Sequence, residues 1–342
     1  MNRKHRVVEY LSFACLVIVV IIAVKKFDIN KAGNGDYPQG LVAVGANPVA
    51  KTKVGSAKKD LKDLPIVLVA SLQKKEVPAD PFADLNLKAR AVYVYDIRNE
   101  KEVFGMNENE TLPLASLTKV MTTVTAAGMS SSDSVISVNK DVVASGDATD
   151  LVPNEKWNVF KLLQYTLVAS SNDGAAAVAA ALGSGLANTD QSASTSQKMF
   201  VAEMNQKAQD LGLLSMRFLN PSGLDVSPTL AGGYGSAKDV ETLMSYAITN
   251  YKDIFAPTSQ DSFTVSSEDN ISHSAKNTDI ITGDIPGLIA GKTGYTDLAG
   301  GNLAVDFDIA PNRPIMIVVL GSTYDDRFMD VKKLVQATIK KL

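Results

Sequence analysis

The rhythm of apolar and polar residues divides the 342-residue chain into stretches of different kinds. After basic Arg3, Lys4 and Arg6, positions 11–24 hold fourteen residues without a charge. If flanking Lys25 and Lys26 snorkel, this run reaches the length of a spanning helix, about 20 residues. No small-residue cleavage site follows, so residues 7–26 read as an uncleaved transmembrane signal-anchor, with residues 1–6 as a cytoplasmic tail. Residues 27–86 lose all periodicity. Gly33, Gly35, Pro38, Gly40, Gly45, Pro48 and Gly55 interrupt them and lysines crowd 51–62, which predicts a flexible extracytoplasmic tether. A short apolar run, 65–72, is expected to dock on the folded part, because leaving it exposed invites association.

From residue 87 the pattern is that of a folded domain. Ala91-Val92-Tyr93-Val94-Tyr95 and Glu102-Val103-Phe104-Gly105-Met106, with Arg98-Asn99-Glu100 between, predict a β-hairpin. Leu117, Val120, Met121 and Val124 stand at helical spacing and predict a helix over 116–127 with a serine at its start. Further helices are expected at 158–169, 173–182, 197–211 and 236–250. The Ser, Thr, Gly and Asn-rich stretch 184–197 reads as a surface loop. Apolar runs at 288–293, 302–307 and 315–320 predict strands, followed by a terminal helix from 325. Strands early and late with helices between predict an α/β (α+β) domain over 87–342, in which one sheet is closed by both ends of the chain around a helical insertion.

Composition narrows the chemistry. Hydrophobic residues make up 45% and charged residues 21%, enough for a sizeable core. With 34 basic against 37 acidic residues there is no electrostatic footprint for nucleic acid. The single cysteine, Cys15, lies in the apolar run and reads as a lipid-facing residue. The two histidines are His5, beside the anchor, and His273, in the polar run 266–277, where it reads as a surface residue. There is no H-E-x-x-H and no G-x-S-x-G, so zinc peptidases and the usual serine hydrolases are disfavoured and no metal or cofactor is expected.

A serine can instead be activated by lysine. S-x-x-K on a helix places both side chains on one face, and the amine acts as a base once burial or a like charge lowers its pKa from ~10.4. The spacing occurs at Ser56/Lys59, Ser71/Lys74, Ser116/Lys119 and Ser137/Lys140. Only Ser116-Leu117-Thr118-Lys119 opens an apolar helix, whose amino terminus adds positive partial charge. Ser170-Ser171-Asn172 lies between two helical segments, where a loop can present a hydroxyl and an amide; a second S-x-N stands at Ser137-Val138-Asn139. Lys292-Thr293-Gly294 occurs once, at the end of an apolar strand, where lysine and threonine can hold a carboxylate and glycine lets a backbone approach.

S-x-x-K, S-x-N and K-T-G in that order form the pattern of penicillin-binding proteins and class A β-lactamases. Pro113-Leu-Ala-Ser-Leu-Thr-Lys-Val-Met-Thr122, Ser171-Asn-Asp173, Met204-Asn205, Leu211-Gly212, Phe218-Leu-Asn-Pro-Ser-Gly-Leu-Asp225, Asn277-Thr278 and Gly291-Lys-Thr-Gly-Tyr-Thr-Asp297 extend it. From about residue 89 the chain resembles the D-alanyl-D-alanine carboxypeptidases, the low-molecular-mass penicillin-binding proteins. Three departures stand out: Ser171 where the family often has Gly or Ala, an apparent insertion at 184–197, and no expected carboxyl-terminal β-domain and amphipathic anchoring helix of the kind many relatives carry.

The resemblance implies a β-lactamase/transpeptidase-like three-layer fold, an antiparallel sheet flanked by helices with an inserted all-α lobe. It implies a serine peptidase that trims peptidoglycan stem peptides ending in D-Ala-D-Ala through an acyl-enzyme, needs no cofactor and is blocked covalently by β-lactams. By the same likeness Ser116 is the nucleophile and Lys119 its base, kept neutral partly by Lys292. Ser170 relays a proton to the leaving nitrogen, and Asn172 binds the substrate backbone. Lys292, Thr293 and Gly294 form the carboxylate-binding strand end, and the N–H groups of Ser116 and Tyr295 form an oxyanion hole, the Tyr295 ring being a cleft wall. The domain is expected outside a cell membrane, on the wall side, held by its amino-terminal helix. A D,D-endopeptidase, a class A-like β-lactamase and an inactive penicillin-binding scaffold are the alternatives; no E-x-x-L-N pentad follows Ser170 to favour the lactamase.

Overall fold

Strands covered on both faces need apolar residues at every position rather than at alternate ones, and the last third of the chain supplies them. In the computed structural model, which describes residues 80–143, 151–186 and 191–342, these runs are the centre of a five-stranded sheet. Its strands are β1 (Ala91–Asp96), β2 (Lys101–Met106), β5 (Leu288–Thr296), β6 (Gly300–Asp308) and β7 (Pro314–Ser322). Every pairing is antiparallel in the order β5-β6-β7-β1-β2, so both chain ends close one sheet as expected. A hairpin of β3 (Ser262–Ser266) and β4 (Ser272–Lys276) leads into β5. The helices are α1 (Thr118–Met129), α2 (Val159–Ala169), α3 (Asn172–Ser184), α4 (Ala193–Asp210), α5 (Ala237–Asn250) and α6 (Asp326–Lys341), besides shorter turns.

Alternation then assigns the layers. Val92, Val94, Leu303, Val305, Ile315, Ile317 and Val319 point to one face and pack with Phe328, Val331 and Leu334 of α6. Ala91, Tyr93, Ala304, Met316, Val318 and Leu320 point to the other and join the core of α1 to α5. Terminal helix, sheet and helical lobe make the three layers that the family resemblance implies. Among the described residues no helix is long and apolar enough to cross a membrane. The anchor at 7–26, Cys15, the run at 65–72 and the pairs Ser56/Lys59 and Ser71/Lys74 lie outside the described residues.

Several expectations change. Phe82, within the stretch expected to be tether, is buried and stacks on Phe104 with ring centroids 4.7 Å apart. The N–H groups of Lys88 and Ala89 donate to the buried Asp330 carboxylate at 3.1 and 2.9 Å, which fastens this segment to α6. The loop expected at 184–197 is shorter: Ser192 accepts from the Thr195 N–H and caps α4, so its serines and threonines begin a helix. His273 is not a surface residue. In Ser272-His273-Ser274-Ala275-Lys276 only His273 and Ala275 face inwards, and the polar composition hides that period of two. The ring sits 4.8 Å from that of Trp157, and Nε2 lies 2.7 Å from Glu155 Oε1.

One buried acid gives the fold a pH dependence. Asp306, on the helical side of β6, has a carboxylate oxygen without a hydrogen-bond partner among the described residues. Burial, then the charges of Asp308 and Glu241, push it up to about 7. A folded pKa above the unfolded value of ~3.9 means that the folded state holds the proton more tightly, so stability falls as pH rises from about 4 to 7. Asp306→Asn is expected to be more stable than the wild type at pH 8 by a few kcal/mol and to lose that advantage by pH 4. Urea unfolding of both proteins across this range checks it, and a pH-independent difference would refute it.

Candidate active site

The approach to Ser116 is built from the sheet. Asn302 of β6 donates from Nδ2 to the Pro113 carbonyl (3.0 Å) and accepts from the Gly321 N–H (2.8 Å). This pins the backbone just before the serine. Ala115 follows at φ +47°, a left-handed conformation that costs a non-glycine residue about 1–3 kcal/mol, and one 3₁₀ turn, Ala115–Leu117, carries Ser116. Gly223 lies so close that a Cβ there would stand 1.9 Å from the Ala115 carbonyl oxygen, so this strained peptide is clamped by a neighbouring backbone. The helix expected from 116 therefore starts two residues later, with no side-chain cap. The Ser116 hydroxyl has a different partner.

Lys119 Nζ donates to Ser116 Oγ, Asn172 Oδ1 and the Ser222 carbonyl, each at 2.8 Å. Lys119 is 0% exposed, so a lysine amine directed at a serine hydroxyl is held in a dry site. The Ser222 carbonyl is aimed by Asn220, whose Oδ1 accepts from the Gly223 N–H (2.7 Å) and whose Nδ2 donates to the Leu224 carbonyl (2.8 Å). Asp225 accepts from Thr296 Oγ1 and the Leu298 N–H, fastening this loop to the end of β5.

Ser170, Ser171 and Asn172 form the junction of α2 and α3. Ser170 takes φ +56° as the left-handed end of α2, and Ser171 Oγ accepts from the Gly174 N–H (2.9 Å) to cap α3. The serine that departs from the family pattern thus caps a helix, while the exposed Asn172 shares Lys119 with Ser116. Lys292, 1% exposed, donates to Ser170 Oγ (2.8 Å) and to the Thr293 carbonyl (3.0 Å). Burial pushes Lys292 down to about 7, the like charge of Arg327 acts in the same direction, and Asp279 opposes both.

Strand β5 runs against the nucleophile turn. A Cβ on Gly294 would stand 2.8 Å from the Leu114 carbonyl oxygen and 3.2 Å from Ser116 N, a separation only glycine permits. Thr293 Oγ1 shares a 2.6 Å hydrogen bond with Thr278 Oγ1. Tyr295 is exposed and meets Tyr324 edge-on, ring centroids 4.9 Å apart. The resulting cleft, about 420 Å³, is lined by Ser116, Ser170, Thr293, Gly294, Tyr295 and Arg327 among others.

All eight residues picked from the motifs lie at or beside this cleft. The other described candidate pair does not: Ser137 and Lys140 are exposed, and Ser137 Oγ donates to the Asn154 carbonyl. Arg327 was missed. It is 4% exposed, its guanidinium lies 4.5 Å from the Tyr324 ring, and its Nε and Nη1 have no hydrogen-bond partner among the described residues. A signal existed, since Arg327 shares a helical face with Val331, Leu334 and Thr338, and an arginine on a buried stripe needs a reason. Among the described residues no cluster of three His, Cys, Asp or Glu could hold a metal ion. The arrangement can activate one hydroxyl and surround an anionic group with Lys292, Thr293 and Arg327.

Comparison with known proteins agrees in kind. A sequence profile described as D-alanyl-D-alanine carboxypeptidase matches residues 74–323. The chain is similar to D-alanyl-D-alanine carboxypeptidase DacF of Bacillus subtilis, 29% identical over 264 residues, 74% of this chain and 62% of that protein. It therefore spans about three-fifths of the length of such curated relatives. It is also similar to penicillin-binding protein D2 of Listeria monocytogenes in its ampicillin-bound form, with 28% identity, a TM-score of 0.59 and coverage of 74% of this chain and 98% of that one. A Mycobacterium tuberculosis D-alanyl-D-alanine carboxypeptidase shares the fold, with 24% identity, a TM-score of 0.62 and coverage of 75% and 92%.

Proposed function

The chain belongs to the D-alanyl-D-alanine carboxypeptidase family, and from that premise we propose that it is a serine-type D-Ala-D-Ala carboxypeptidase acting on peptidoglycan stem peptides. The observation that carries this reading is the 2.8 Å contact between buried Lys119 Nζ and Ser116 Oγ. In the reacting state Lys119 is neutral: its two protons go to Asn172 Oδ1 and the Ser222 carbonyl, and its lone pair takes the proton of Ser116 Oγ as that oxygen attacks the carbonyl of the penultimate D-Ala. The backbone N–H groups of Ser116 and Tyr295 stabilise the developing oxyanion. The C–N bond then breaks, and Ser170, bridged to Lys292, passes a proton to the departing D-Ala nitrogen. That proton is the one Lys119 took from Ser116, so Lys119 is neutral again; it then takes a proton from the water that attacks the ester and delivers it to Ser116 Oγ as the hydroxyl leaves.

Binding uses the same groups. Lys292, Thr293 and Arg327 hold the terminal carboxylate, and the Asn172 amide holds the peptide backbone. A β-lactam carries a carboxylate at a comparable place and acylates Ser116 as its ring amide opens. We extend the proposal to the uncharged run at 11–24, which anchors the chain so that the catalytic body works on the wall side of the cell membrane.

The full chain is expected to release D-Ala from pentapeptides ending in D-Ala-D-Ala, with lysine or diaminopimelate third, and to retain one labelled penicillin per chain. Rapid turnover of the drug would replace this reading with the lactamase. Labelling without release from either peptide or from a cross-linked dimer would leave only a scaffold.

A further inference from the structure

A cation is poorly placed in the first turn of a helix, where the macrodipole already presents positive charge, yet Arg327 stands there in α6 and is 4% exposed. Among the described residues it forms no ion pair, and its buried Nε and Nη1 have no hydrogen-bond partner. Aromatic rings take that place. The guanidinium carbon lies 4.5 Å from the ring centroids of Tyr324 and Phe328 and 6.0 Å from that of Tyr295. A guanidinium within about 6 Å of a ring centroid is attracted by the ring quadrupole, most strongly where water is excluded. Gly301 of β6 makes room for the arginine stem, since a Cβ there would stand 3.2 Å from Arg327 Cδ.

Tyr324 differs from the other two rings. Phe328 belongs to the apolar core beneath α6, and Tyr295 reaches the guanidinium from farther away. Tyr324 is 55% exposed and lines the cleft together with Arg327 and Tyr295, which it meets edge-on. Rings offset a positive charge without accepting its N–H bonds, so a guanidinium held in this way keeps its donors for an anion in the cleft. A carboxylate in the same place would compete with that anion. We propose that Tyr324 is a positioning residue, whose ring holds the Arg327 guanidinium for the terminal carboxylate of the substrate and so strengthens the preference for peptides that end in a free carboxyl group. The identity of that ligand rests on the carboxypeptidase reading; the ring contact does not.

Tyr324→Phe keeps the ring and Tyr324→Leu removes it, with Tyr324→Gln in reserve if the leucine variant does not fold. In the full chain, KM for a peptide ending in D-Ala-D-Ala is expected to rise about fivefold without the ring, with kcat little altered, and to stay within about twofold of wild type in Tyr324→Phe. The same peptide with an amidated terminus offers Arg327 no charge, and the rate at which it is cut is expected to change little. In an Arg327→Gln background Tyr324→Leu is expected to add almost nothing, as it must if the ring acts through the guanidinium. An unchanged KM without the ring, an equal loss in Tyr324→Phe, an equal effect on the amidated peptide or a full effect without Arg327 overturns the inference; a ring that only supported the fold would give the last two. Acylation by a labelled penicillin, which also presents a carboxylate, needs no D-Ala release, and its rate is expected to fall by the same factor. Wild type acylated at a ring-dependent rate that releases no D-Ala loses the carboxypeptidase reading alone. Release of D-Ala with a ring-independent KM removes this inference alone, and neither reaction in wild type removes both.

Discussion

Ser116→Ala is expected to abolish covalent penicillin labelling and to lower D-Ala release by at least about 10⁴-fold, the scale on which a hydrolase loses activity when its nucleophile is removed. Only the hydroxyl disappears, so the fold should stay. The 3₁₀ turn is held by Gly223 against the Ala115 carbonyl and by Asn302 on Pro113, neither of which uses the Ser116 side chain. Lys119 keeps Asn172 Oδ1 and the Ser222 carbonyl as acceptors, so the loss is one hydrogen bond, about 1 kcal/mol. Thermal unfolding close to that of wild type with no labelled band on a denaturing gel is the result that supports the assignment. A labelled band of wild-type strength would mean that another hydroxyl, with Ser170 the nearest candidate, is acylated.

How much of this was legible in the sequence depends on where the information is stored. Ser116 and Lys119 are three positions apart, and Lys292, Thr293, Gly294 and Tyr295 are consecutive, so their mutual geometry is local and a short motif records it. The strands were equally legible, because a sheet covered by α6 on one face and the helical lobe on the other requires unbroken apolar runs. Long-range relations were not recorded in this way. Arg327 comes to the cleft only because α6 packs across β6 and β7, and nothing local announces that approach. His273 lies in a polar stretch that reads as surface, yet it is buried because a hairpin turns alternate residues inwards onto Trp157. The segment Phe218-Leu-Asn-Pro-Ser-Gly-Leu-Asp225 was recognisable as a pattern, but its physical purpose needed the structure: Asn220 aims the Ser222 carbonyl at Lys119, and Gly223 clamps Ala115.

Lys119→Met and Lys119→Arg together separate the charge of this residue from its basicity. Methionine matches the stem of lysine but can neither accept a proton nor donate a hydrogen bond, and acylation by penicillin is expected to slow by about 10³-fold, within the range for a lost general base. Stability changes in opposing directions. The Ser222 carbonyl loses a donor, at about 1–3 kcal/mol for a buried group, while the exposed Asn172 can bond to water and the desolvation of an amine that is 0% exposed disappears. A modest change in Tm alongside a collapse of the acylation rate is therefore the expected pair of results. Arginine restores donors and charge but stays protonated at any pH the protein tolerates, and its planar fork does not fit three acceptors arranged round a single nitrogen. If Lys119 only steadied charge at the site, Lys119→Arg would acylate within about tenfold of wild type; if it removes the Ser116 proton, the arginine variant is at least as slow as the methionine one. Measuring the rate of labelled-penicillin attachment in the three proteins, at a pH where wild type is fastest, decides between these two roles.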